Sequence, residues 1–347
     1  MTKLLSIIIP TYNMQKYLRH CLDSLLVSDE MMDQLEVLVI NDGSKDNSSK
    51  IAHEYETKYP NTFRVVDKEN GNYGSCVNRG LKEVIGKYVK VLDADDSFDT
   101  KVLDDFIRFL DCVDVDLIIT PYSIVNDAGR VRESVVYGLQ EKSILTWEQL
   151  TPAFKHKSLS MHAVTYKRQN LIDINYHQSE RISYTDQEWI FTPLTTVNTA
   201  VAYPQPLYKY LVGRVGQTVS PEIIKRNISH NEQCCRKIVL EYKAFRKFDK
   251  AKQEYIDYRF LGTITAMYNW YLVLYPDLDM RQLVLFDDFL KSVDASYLDL
   301  LDKQRLRYTP VRYIKRWHRN RQKRLTICAM YHKYAQIMNR ISRWYAR

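Results

Sequence analysis

Five apolar runs mark out the first 120 residues, and a helix-length segment separates each from the next. The runs read LLSIIIP, LEVLVIN, FRVVD, YVKVLD and VDLIIT, and residues 14–27, 47–59, 75–85 and 101–110 lie between them. Strands that are apolar along most of their length, alternating with helices, make a parallel sheet covered on both faces. Ligands of such sheets sit at the carboxyl ends of the strands. Here those ends carry PTYN (10–13), NDGSKDNS (41–48), KENGNYGSCVNRG (68–80) and DADD (93–96). Asp, Asn, Gly and Ser therefore gather on one rim, and the rim is the expected site.

The fourth end poses the sharpest question, because KVLDADDSF crowds Asp93, Asp95 and Asp96 against a buried strand. Like charges in a poorly solvated place repel and resist ionising. A turn after the strand can aim Asp93 and Asp95 at one point, and carboxylates suit Mg²⁺ or Mn²⁺. The competing reading is that Asp96, Ser97 or Asp99 caps the helix starting near Lys101; both can hold together. In INDGSKDNS, Asp42 and Gly43 make a turn and Asp46 or Asn47 caps the next helix. Gly71-x-x-Gly74 lacks the GxGxxG spacing, and no GxxxxGK[ST] loop occurs.

The 347 residues suffice for a large core, and 45% apolar with 27% charged residues is the balance of a soluble globular chain. No run approaches the roughly 18 apolar residues of a membrane span, and the opening MTKLLSIIIPTYN reads as a strand, not a leader. Six cysteines without a CxxC pair point to a reduced, cytosolic chain. From Val131 to Val212 short strands mix with helical pieces such as 186–197, and from Pro221 onward helices dominate, over 223–248 and 253–275. The expected domains are 1–220, with halves 1–125 and 126–220, a helical region 221–300 and a tail 301–347. The tail is basic: residues 303–347 hold 14 Lys and Arg and no acid, so the rest holds 50 − 14 = 36 basic against 42 acidic residues.

Three segments in this order and spacing, SIIIPTYNMQKYLRHCLDSLL, EVLVINDGSKDNS and NGNYGSCVNRGLKEVIGKYVKVLDADDSF, closely resemble glycosyltransferase family 2. The likeness is strong over residues 3–125 and weaker to about 220. It implies an α/β GT-A fold, a nucleotide-diphospho-sugar transferase with a mostly parallel central sheet and helices on both faces, here with a helical C-terminal extension. It also implies inverting transfer of one sugar from a UDP-sugar. Residue by residue, Pro10, Thr11, Tyr12 and Asn13 with Asp42 match the uridine pocket. Asp93, Ala94 and Asp95 match the Asp-x-Asp motif, whose carboxylates Asp93 and Asp95 hold Mn²⁺ or Mg²⁺ on the diphosphate. Asn72, Tyr73, Gly74 and Asn78 match the segment beside nucleotide and sugar. Many members have an arginine where this chain has Val77, and Arg79 is not its equivalent.

The family's Glu-Asp pair, which opens a helix in the second half of the domain, corresponds to Thr185 and Asp186 in SYTDQEWIF. Asp186 is thus the expected base that takes the acceptor's proton; Glu188 is the reserve, and the alternative is that Asp186 merely occupies the first turn of its helix. In YKYLVGRVGQTVS, Arg214 could pair with the diphosphate or remain a solvated arginine. His162 in LSMHAV reads as a satisfied core or rim histidine, not a ligand. The Arg-Trp pairs of YIKRW and RISRW lack the glutamine of processive synthases, which points to one sugar per encounter.

Along the tail, Val311, Ile314, Trp317, Leu325, Cys328, Tyr331, Ala335, Met338, Ile341 and Tyr345 recur at helical spacing among cations. That pattern suits an anionic membrane surface reached through 303–347, a helix on the chain's own acidic body, or pairing with a second copy in a homo-oligomer; no nucleic-acid motif accompanies the charge. The membrane reading makes a lipid-linked glycan acceptor at the inner face of a bacterial membrane attractive, for surface polysaccharide. A sugar-nucleotide nucleotidyltransferase is disfavoured for want of an opening Gly-rich loop, and a non-catalytic glycan-binding scaffold by the intact carboxylates.

Overall fold

The computed structural model describes residues 3–214, 221–245, 247–275, 277–306, 309–320, 328 and 330–331. The chain divides into two compact units, Met1–Ser220 with Asp249–Tyr255, and Pro221–Phe248 with Ile256–Arg347.

The first unit opens as the alternation requires: β1 (Leu5–Thr11), α1 (Leu18–Asp23), α2 (Asp29–Gln34), β2 (Leu35–Asn41), α3 (Ser48–Lys58), β3 (Phe63–Asp67), α4 (Asn72–Glu83) and β4 (Tyr88–Val91). It continues through β5 (Ser97–Phe98), α5 (Thr100–Asp111), β6 (Leu117–Ile119), β7 (Tyr122–Val125), β8 (Val131–Val135) and β9 (Ile144–Leu145). After α6 (Trp147–His156) come β10 (Val164–Lys167), α7 (Arg168–Asp173), α8 (Asp186–Trp189), β11 (Ala200–Ala202) and β12 (Tyr208–Leu211).

Among the described residues one sheet has the order β3-β2-β1-β4-β10-β6-β11-β9, and a smaller one has the order β5-β12-β7-β8. The neighbours β3, β2, β1 and β4 are all parallel, whereas β10 runs antiparallel to β4 and β6. Side chains alternate across a strand, so Leu5, Ile7 and Ile9 of β1 join one buried cluster with Leu18, Leu22, Ile51, Leu103 and Phe106. Ile8 faces the other way, onto α4, where a Cβ on Gly80 would lie 2.7 Å from the Ile8 side chain. The absent side chain is what lets the helix approach. The fold is the α/β GT-A architecture that the motifs imply.

In the second unit the expected helix 223–248 is two, Pro221–Arg226 and Ile228–Ala244, and 253–275 is α-helical over Lys250–Asn269 with a π turn at Trp270–Leu274. The helices of the first unit differ from the sequence reading in three places. Residues 14–27 hold only the short α1, and α2 was not foreseen, because DEMMDQ is too short for an apolar period to show. α4 begins at Asn72 instead of Ser75, since Asp42 accepts the Gly71 and Asn72 amides at 2.9 and 2.8 Å. Helix starts leave such amides unpaired, and a carboxylate there satisfies them. Residues 186–197 split into α8 and a 3₁₀ turn at Pro193–Thr196.

The second unit contains α9 (Pro221–Arg226), α10 (Ile228–Ala244), most of α11 (Lys250–Asn269), α12 (Met280–Val293), α13 (Ser296–Asp302) and α14 (Tyr313–Arg319). Tyr313, Ile314 and Trp317 of α14 are buried, with the Trp317 ring 5.8 Å from that of Tyr268. The first turns of the basic tail therefore pack on the chain's own helices, and that apolar face is not open to a membrane. Leu325, Ala335, Met338, Ile341 and Tyr345 lie outside the described residues, and Cys328 is buried.

His318 fixes α14 by contacting Asp302 at 2.7 Å and Asp287 at 2.8 Å. Burial opposes its charged form, but the two carboxylates outweigh it and raise its pKa. A raised folded-state pKa gives stability that is fully present below the unfolded value of about 6.5 and is lost as pH rises through the folded pKa. His318→Gln is thus expected to cost about 1.5–3 kcal/mol at pH 5.5–6 and less as the pH climbs past that point. Thermal unfolding of both proteins across pH 5.5–9 measures the difference; a cost constant over that range removes the charged histidine from the account.

Candidate active site

The rim is built by the parallel register. Thr11 of β1 pairs with Asn41 of β2, and Asn41 with Asp67 of β3, so these strands end level with one another. Just past them, the Asp42 amide donates to the Thr11 carbonyl at 2.8 Å and the Lys68 amide to the Asn41 carbonyl at 3.0 Å. Asp42 is buried. Its Oδ1 accepts from Lys68 Nζ at 2.6 Å and from Gly71, its Oδ2 from Asn72. Asp42 thereby holds the start of α4 against β2, with Asn72 at a φ of +68°. Lys68 also reaches the Ser75 hydroxyl at 2.9 Å. The sequence reading passed over Lys68 because a lysine in a loop carries no signature.

Beside this anchor, Thr11 is buried with its hydroxyl on the Ile9 carbonyl, while Tyr12 is exposed. Pro10 is half-buried, and Asn13, at a φ of +54°, accepts the Lys45 amide at 2.8 Å. The rim thus presents an open ring beside a rigid floor.

The acidic cluster separates into distinct roles. Asp99 caps α5, accepting from the Val102 amide at 3.2 Å. Asp96 is buried, accepting from Tyr208 Oη and the Leu211 amide, both at 2.7 Å. It ties β12 to the end of β4. Ala94 is buried, and Asp93 and Asp95 flank it half-buried on the rim. Asp93 Oδ1 accepts from Tyr73 Oη at 2.9 Å, and Asp95 forms an ion pair with Arg214.

Burial, and then the Asp95 charge, push the Asp93 carboxyl up to about 7, with Asp186 adding to the rise and Arg214 opposing it. Asp96 is raised by burial and by Asp93 and Asp95. Such crowding asks for a compensating cation. His162 joins here: a ligand atom from each of Asp93, Asp96 and His162 falls within 4.8 Å of the others. Its Nδ1 contacts the Ser160 hydroxyl at 2.7 Å, and its ring stacks on Tyr210 at 4.3 Å. Burial, then the nearby Lys90 charge, lower it to about 3, so it stays a neutral imidazole. Lys90, buried beneath it, donates to the His162 and Val164 carbonyls at 2.8 and 3.1 Å, and burial lowers it to about 7. His162 is thus a packed histidine, as its sequence reads, that also borders the carboxylates. The carboxylates are the part of this cluster that fits Mn²⁺ or Mg²⁺.

Across the rim, residues 177–185 are fastened to α4. Asn78 exchanges two bonds with Gln178, each at 2.8 Å, and the Arg181 amide donates to the Gly71 carbonyl at 2.7 Å. Asn78, expected beside nucleotide and sugar, is therefore committed to bracing that loop. Gly74 has the same partner: a Cβ there would fall 2.0 Å from the Ser179 carbonyl. Gly74→Ala is expected to cost about 1–3 kcal/mol, read by urea unfolding; an unchanged midpoint would mean the loop is free to move aside.

The loop delivers Asp186 to the first turn of α8, half-buried. Its charge contributes to raising Asp93, Tyr73 and Tyr210, so it stands within electrostatic reach of all three. Glu188 is fully buried and accepts the Ser179 amide at 2.9 Å, which makes it a loop anchor. Val77 is buried, and Arg79 pairs with Glu83 on the exposed side of α4.

Residues 6–165, just under half of the chain, match the family model described as glycosyl transferase family 2. The uncharacterized glycosyltransferase MG025 of Mycoplasma genitalium is 43% identical over 97 residues, 27% of this chain and 32% of that protein. The minor teichoic acid biosynthesis protein GgaB of Bacillus subtilis is 34% identical over 106 residues, 30% of this chain and 12% of that protein. The chain thus spans a third or less of the length of these curated relatives. A crystal structure of S. aureus TarS residues 1–349 superposes with a TM-score of 0.66 at 22% identity, over 92% of this chain and 88% of that one. That likeness is one of fold.

Proposed function

We propose that this chain is an inverting glycosyltransferase that moves one sugar from a UDP-sugar to a glycan or lipid-linked glycan of the bacterial cell surface. The observation that carries the proposal is that Asp93 and Asp95, at the end of β4, share one rim with Asp186, which opens α8 after a loop bolted to α4 and whose charge reaches Asp93. S. aureus TarS has been crystallised in complex with UDP and with UDP-GlcNAc, which supports a uridine nucleotide as donor.

In this reading the base lies over Tyr12 and Asn13, on a floor set by Thr11 and Asp42, and the diphosphate lies towards Asp95. Asp93 and Asp95 would hold a divalent cation, Mn²⁺ or Mg²⁺, which supplies charge stabilisation for the departing diphosphate. Tyr73, its hydroxyl on Asp93, fixes that carboxylate's orientation. Asp186 takes the acceptor's proton as its oxygen attacks the anomeric carbon on the face away from the diphosphate. One displacement inverts the anomeric centre, so an α-linked donor gives a β-linkage through an oxocarbenium-like state.

Among the described residues no helix is long and apolar enough to cross a membrane. Since α14 buries its apolar face, contact with an anionic membrane would fall to the tail beyond residue 320. Release of UDP from a panel of UDP-sugars, with and without Mn²⁺, tests the function. UDP from one donor is expected; pyrophosphate would indicate nucleotidyl transfer, and no release a non-catalytic scaffold.

A further inference from the structure

Arg214 lies three residues past β12, and its guanidinium is ion-paired with Asp95. The pair is sheltered: the two side chains are 15% and 11% exposed. The guanidinium also lies 5.5 Å from the centre of the Tyr17 ring, and its charge reaches Asp93. It follows Gly213, which has a φ of +99° and open space where a Cβ would be. A positive group thus stands over the carboxylate that the proposed function gives to a divalent cation.

A guanidinium stays charged in proteins, so it cannot make room by losing a proton. A cation binding Asp95 by itself competes with Arg214 for that carboxylate and is repelled by the guanidinium beside it. A cation arriving with a diphosphate offers Arg214 a new partner, and guanidinium matches phosphate oxygens bidentately. We propose that Arg214 is a positioning residue that exchanges between Asp95 and the donor diphosphate, so that the carboxylates take up the metal together with the nucleotide in preference to metal alone. This rests on the proposed function and adds a thermodynamic coupling to it. Coupling is reciprocal: UDP must tighten Mn²⁺ by the factor by which Mn²⁺ tightens UDP.

The test measures binding, not turnover. Free Mn²⁺ is followed by electron paramagnetic resonance and UDP by calorimetry, for wild type, Arg214→Ala, Arg214→Lys and Asp95→Asn, with folding checked by circular dichroism. In wild type the mutual enhancement is expected to be at least about fivefold. Arg214→Ala should bind Mn²⁺ alone about fivefold more tightly than wild type and lose a similar factor of enhancement. Arg214→Lys, which keeps the charge but not the fork, should bind Mn²⁺ alone as wild type does and show reduced enhancement. Bare Mn²⁺ binding no tighter in Arg214→Ala, or an unchanged enhancement, overturns the exchange while leaving the metal site intact. If Asp95→Asn binds Mn²⁺ and UDP as wild type does, the cation lies elsewhere than the proposed function puts it, and the exchange fails with that site.

Discussion

Asp186→Asn is expected to lower kcat by about 10²–10⁴-fold, the range a positioned general base contributes, with little change in UDP affinity. The substitution keeps size and shape but leaves a group that cannot take the acceptor's proton. The placement supports this expectation: Asp186 opens α8, and its charge is felt by Asp93 and by the Tyr73 and Tyr210 phenols. Glu188 supplies the control. It is fully buried and holds the Ser179 amide, so Glu188→Gln should lower stability and leave the pH dependence of turnover unchanged. Initial rates with saturating donor, alongside calorimetry with UDP, separate the two. Full activity in Asp186→Asn would reduce Asp186 to an acidic residue in the first turn of a helix.

The second large effect is expected at Asp95. Asp95→Asn should lower kcat/KM by about 10²–10³-fold, the scale on which loss of one preorganised electrostatic contact acts, and should abolish stimulation by Mn²⁺. It also removes the partner of Arg214, so the fall in metal affinity should exceed any fall in affinity for UDP measured without metal. Asp96→Asn makes the contrast. Asp96 accepts from Tyr208 and Leu211, and losing that tie between β12 and β4 should lower stability. Titrations of rate against Mn²⁺ settle the comparison. An Asp95→Asn enzyme with wild-type metal dependence would place the cation elsewhere.

Much of this was legible in the residues, for physical reasons. Strands buried on both faces must be apolar throughout, so β1, β2, β4 and β6 stood out beside the half-exposed edge strand β3, and the polar residues after them marked the rim. The division of labour among the acids was not legible. Asp93, Asp95, Asp96 and Asp99 look alike in sequence, and only the return of β12, more than a hundred positions later, assigns Asp96 to Tyr208 and Leu211. Asn78 and Gly74 likewise read as ligand contacts because the loop that needs them, around Gln178 and Ser179, lies about a hundred residues away. Short-range pattern finds the elements; long-range pairing decides what a polar residue is for. The tail shows the same limit: helical spacing places Tyr313, Ile314 and Trp317 on one face but does not say what covers it.

Anomalous diffraction at the manganese edge, from crystals grown with Mn²⁺ and UDP, tests the central claim most directly. The expected result is one strong peak touching the carboxylates of Asp93 and Asp95, with both phosphates of UDP on its other side. A map with UDP bound away from the end of β4, or with no manganese at those two aspartates, would contradict it.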